Sequence, residues 1–91
     1  MGTLEGLTKE KNFVVAALSK EMGMKKPNRE RIVKYALHAA QKEFEIAKTM
    51  IEAGQTEDVI VNLVSMISCI KIALPKENQN QFEETFHEIF K

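Results

Sequence analysis

Apolar residues recur along most of this chain at the three- and four-residue spacing that keeps one side of an α-helix dry. The recurrence breaks at three places: around Gly23 and Pro27, at Gly54, and at Pro75. Residues of this kind end helices, because glycine takes up the left-handed turn after a last helical residue and proline disfavours helical backbone in the residue before it. The pattern therefore predicts four helices, over about 8–22, 29–53, 57–74 and 78–90, preceded by a flexible N-terminus at 1–7. In the first, Phe13, Val14, Ala16, Ala17, Leu18 and Met22 make one dry side, with Thr8 as cap and Leu7 as hydrophobic staple.

The second helix is the long one. Asn28 is a good N-cap, nothing interrupts the pattern up to Gly54, and 25 residues give a rod of about 37 Å. Two apolar rows run along it side by side. One is Val33, Leu37, Ala40, Phe44, Ala47 and Ile51; the other is Ile32, Ala36, Ala39, Glu43, Ile46 and Met50. Each alternates steps of four and three, the spacing of a helix-packing seam. Together they make a wide apolar face whose alanines let another helix approach closely, from the same chain or from a second subunit.

In the third helix 12 of the 16 residues from Val59 to Leu74 are apolar. Its polar residues Asn62, Ser65, Ser68 and Lys71 fall every third position, so they wind round the helix instead of forming one wet stripe. Such a helix needs cover on most sides, either as the centre of the bundle or against another subunit. The β-branched run Val59, Ile60, Val61 also suits a strand, but the Thr56 cap, the following acids Glu57 and Asp58, the length and Pro75 favour a helix. In the last segment Asn78 and Gln81 have capping-box spacing, and Phe82, Phe86, Ile89 and Phe90 share one stripe.

These elements predict a single all-α domain over residues 1–91: a small bundle of four helices in which the long second helix is central and hairpinned to the very hydrophobic third. With 91 residues, a lone copy buries a modest fraction of its surface, so an oligomer is expected. The residues assigned to its interface are Ile46, Met50, Val61, Val64, Ile72, Phe86 and Phe90. Composition adds that the chain belongs in water. It is 44% hydrophobic and 29% charged, no run is long and apolar enough to span a bilayer, and no secretory pattern opens the sequence. The single cysteine, Cys69, cannot pair within the chain and suits a buried thiol in a reducing, cytoplasmic setting.

Thirteen basic and thirteen acidic residues cancel, yet they are unevenly placed. Residues 1–34 hold 8 basic and 4 acidic groups, whereas residues 35–91 hold 5 and 9. Lys25, Lys26, Arg29 and Arg31 crowd the positive end of the long helix, a costly place for cations unless an anion is held there. That cluster, with the free N–H groups of residues 28–31, is a candidate site for nucleic acid or a nucleotide-like phosphate. The same polarity also suits assembly between copies.

Catalytic patterns are sparse. With His38 and His87 as the only histidines there is no Ser/His or Cys/His signature, and neither catalytic residues nor a cofactor are assigned. Glu84-x-x-His87 has the spacing used in di-metal carboxylate bundles, and Glu43 could add a carboxylate from the long helix; as Glu and His three apart are common on wet faces, no metal ligand is assigned. The reading that follows is a noncatalytic helical interaction or regulatory protein, acting through a homodimeric, larger or partner-binding surface. The alternatives are anion or nucleic-acid binding at the basic cluster and, third, a metal-dependent carboxylate enzyme.

Overall fold

The computed structural model describes residues 4–89, apart from the side chains of Phe86 and Ile89. Four α-helices follow one another: α1 (Leu4–Met22), α2 (Arg29–Glu52), α3 (Val59–Ala73) and α4 (Lys76–Ile89). No strand occurs among the described residues, so the β-branched start of the third segment is helical.

The termini of α2 show how directly sequence sets local structure. Asn28 is extended and its Oδ1 accepts the Arg31 N–H at 3.1 Å, the bond expected of an N-cap. At the other end Gln55 N–H donates to the Met50 carbonyl at 2.8 Å and Gly54 N–H to Ile51 at 3.1 Å. These are the paired bonds of a Schellman ending, and they require the left-handed backbone that Gly54 adopts at φ 76°.

Three boundaries differ from expectation. Helix α1 starts at Leu4, so at least part of the segment expected to be flexible is helical, and the Thr8 hydroxyl donates to the Leu4 carbonyl instead of capping. Helix α3 starts at Val59 with a turn through Thr56 before it, and Asp58 makes no side-chain cap. Helix α4 starts right after Pro75, which displaces the Asn78–Gln81 capping box into its first turns; there Gln79 Nε2 donates to the Leu74 carbonyl. The shifts at α3 and α4 are about two residues, the ordinary range over which a helix end frays.

Helix α2 is central. Helix α1 lies antiparallel on it, as the pairs Lys42–Glu10, Lys11–Glu43 and Arg31–Glu21 show, and α3 lies antiparallel along it, held by Asn62–Glu43 near one end and by Arg29 at the other. Helix α4 adjoins α3 but neither α1 nor α2 among the described residues. The result is an open layer, 41 by 32 by 15 Å, rather than a closed four-helix bundle. Two small apolar clusters hold it: Ile46, Ala47, Met50 and Val59 with Leu4, Leu7 and Leu63, and Leu18, Ile32 and Ala36 with Tyr35, Ile72 and Ala73.

Between the clusters sits a charged tie. Glu43 is 3% exposed; its Oε1 lies 3.1 Å from Lys11 Nζ and its Oε2 accepts from Asn62 Nδ2 at 3.0 Å, so one residue from each of α1, α2 and α3 meets there. A carboxylate out of water needs such partners, and here they come from both neighbouring helices at once.

Candidate interaction surface

The two rows of α2 separate sharply in the structure. Ile32, Ala36, Ala39, Glu43, Ile46 and Met50 are all buried within one chain. Of the other row, Ala40 and Ala47 are buried and Val33 half-buried, while the large members Leu37, Phe44 and Ile51 are 49%, 51% and 55% exposed. These three recur every seven residues, two turns apart, and so form a straight apolar ridge, while the alanines between them in sequence are buried within the chain.

Helix α3 is open as well. Val59 is its one buried residue, and Ile60, Val61 and Val64 are exposed, the first two by about two thirds. Of the two placements open to α3, the centre of the bundle is not the one found: α2 is central, as expected, with a helix on each side, and α3 is covered on the α2 side with α4 crossing near Val64, Ile67 and Lys71. A Lys71–Glu83 ion pair fastens α4 there.

The residues assigned to an interface therefore scatter. Val61 and Val64 are exposed as an interface needs. Ile46 and Met50 belong to the intrachain core, a correction whose cause is the adjacency of the two rows: both have seam spacing, and only the direction from which α1 and α3 approach decides which is buried. Ile72 is half-buried against Leu18, Ile32 and Ala36. The side chain of Phe86 and the whole of Phe90 lie outside the described residues. Leu37, Phe44, Ile51 and Ile60 lie outside that set and are exposed.

All four residues of the basic cluster are exposed, and two of them, Arg29 and Arg31, have partners within the chain. Arg29 donates from its guanidinium to the carbonyls of Ile72, Ala73 and Leu74 at 3.0, 2.9 and 2.7 Å, closing the C-terminal end of α3. Arg31 lies 3.7 Å from Glu21, a buried carboxylate that also accepts the Asn28 N–H at 3.0 Å. Glu21 thus supplies, from α1, the acidic half of a capping box for α2, and the positive end of that helix already faces an internal anion. Lys25 and Lys26 are exposed in the α1–α2 connection.

Chemistry-bearing groups do not converge. Glu43 is bound to Lys11 and Asn62, whereas Glu84 and His87 stand on α4, which does not adjoin α2; among the described residues no three His, Cys, Asp or Glu side chains gather as metal ligands. A shallow cleft between α1 and α2 is lined by Lys9, Glu10, Phe13, Val14, His38 and Lys42. There Lys42 pairs with Glu10 at 2.6 Å, and that bond lowers the Glu10 pKa and raises that of Lys42. Half-burial, aided by the nearby Glu43 carboxylate, pushes the Cys69 thiol above its ordinary pKa, the opposite of what a nucleophile needs. No helix among the described residues is long and apolar enough to cross a membrane.

Comparison with protein-family models, with curated proteins and with solved structures finds no match to this chain.

Proposed function

We propose that this protein is a noncatalytic helical interaction module, working in a reducing compartment, whose business end is the apolar face on α2 and α3. One observation carries the reading: Leu37, Phe44 and Ile51 stand exposed in line on the central helix, with Ile60, Val61 and Val64 exposed on its neighbour. Single exposed apolar residues are ordinary on protein surfaces, but six on adjoining helices, three of them in seam register, are what helix-in-groove and helix-on-helix recognition use.

The test is retention. A tagged chain should hold a macromolecular partner, itself or another protein, and Phe44→Asp should release it. Retention of nothing, or retention indifferent to Phe44, would remove the reading.

A further inference from the structure

We infer that the hollow where the C-terminal parts of α1 and α3 meet the starts of α2 and α4 binds a small phosphate monoester, its phosphate held by Arg29, Lys71 and Lys76 and its organic body laid on Met22, Ile32 and Ile72. The hollow has a volume of about 480 Å³, the size of an ordinary small-molecule site. Every helix contributes to it: Met22 ends α1, Arg29 and Ile32 open α2, Ser68, Lys71 and Ile72 come from the last turns of α3, and Lys76 and Gln79 from the first turn of α4. Arg29 is far in sequence from Lys71 and Lys76, and those two stand on different helices, so only the fold brings the three cations together.

Charge points to an anion. The chain as a whole is balanced, with thirteen basic and thirteen acidic residues, yet no carboxylate among the described residues lines this hollow. The three carbonyls that hold Arg29 are neutral, so they fix its guanidinium without cancelling its charge, and they engage three of its five N–H groups. Lys76 is exposed and makes no ion pair among the described residues. Only Lys71 has an acidic partner, Glu83 of α4, which stands outside the lining. Three like charges round one hollow repel one another, and a dianion set among them turns that repulsion into attraction. A phosphate monoester carries nearly two negative charges near neutral pH and three strong acceptor oxygens. The Ser68 hydroxyl and the Gln79 amide, whose nitrogen is anchored to the Leu74 carbonyl at 3.1 Å, supply further polar groups. Bare phosphate would leave the apolar side of the hollow uncovered, whereas an organic body lies against Met22, Ile32 and Ile72.

The experiment titrates the purified, isotope-labelled full chain with phenyl phosphate and follows its backbone amide signals. Saturable shifts are expected at millimolar or lower concentration, centred on Arg29, Ser68, Lys71, Lys76 and Gln79, and weakening as salt rises. Inorganic phosphate, which lacks the apolar body, and phenol, which lacks the charge, should both bind less tightly. Lys76→Gln should weaken binding about tenfold. Glu83→Gln should strengthen it about threefold by releasing Lys71, an effect that a merely structural role for this ion pair does not produce. Lys76 and Glu83 are both exposed, and circular dichroism of each variant should match the parent. The proposal is overturned by shifts that do not saturate or that centre elsewhere, by an affinity that Lys76→Gln leaves unmoved or Glu83→Gln lowers, or by phenyl phosphate binding no more tightly than inorganic phosphate or phenol. Leu37, Phe44 and Ile51 take no part in the lining, so this site and the interaction reading stand or fall separately.

Discussion

Glu43 shows how much one side chain can decide. In the sequence it interrupts an apolar row, and that interruption invites a metal-ligand reading; in the structure it is the point where α1, α2 and α3 are tied, through Lys11 and Asn62. Removing one partner strands a buried charge, so Lys11→Met should lower stability by about 2–4 kcal/mol, read from denaturant midpoints at neutral pH. Replacing Glu43 and Lys11 together by apolar residues of similar volume should recover most of that loss. If the single and the double variants were equally unstable, the tie would matter for packing and not for charge. Cys69 gives a chemical check on the same region. Because burial and the Glu43 carboxylate hold its proton on, alkylation near neutral pH should run slower than for an exposed cysteine, and unfolding in denaturant should restore the ordinary rate.

At the level of elements, ends were harder to read than existence. All four helices were legible from apolar spacing and from Gly54 and Pro75, and the Asn28 cap and Gly54 ending form as their residue types dictate. The starts of α1, α3 and α4 were not, since several residues near each could cap and the winner depends on which carbonyl or N–H lies close after folding. Long-range caps were invisible for the same reason: Glu21 reaches Asn28 from another helix, and Arg29 reaches carbonyls more than forty residues away. The internal partners of Arg29 and Arg31 were therefore not legible in the basic cluster. Gly54→Ala should cost about 1 kcal/mol, entirely from the left-handed backbone, because the added Cβ meets no atom within 4 Å. Arg29→Gln should unfasten the end of α3, seen as faster amide exchange over its last turn, while exchange in the middle of α2 stays unchanged.

For the whole molecule, the apolar content was legible and its placement was not, because two equivalent rows on one helix leave the choice of buried side to tertiary contacts. The resolved choice has a thermodynamic consequence. Among the described residues, four of the ten buried hydrophobic side chains are alanines, so the intrachain core contributes little burial per residue, while larger groups such as Phe44 and Ile51 stay outside it. A 15 Å layer has almost no interior, so a partner that covered the ridge would add to its stability. If a second copy does so, unfolding and dissociation are one event and the midpoint depends on protein concentration. Each tenfold increase then adds about 1.4 kcal/mol to the dimer, which should raise the melting temperature by about 3–5 °C. Calorimetry over two decades of concentration reads this directly. A constant midpoint across that range would mean that the layer is stable by itself, and that its exposed ridge is kept for a partner the chain does not need in order to fold.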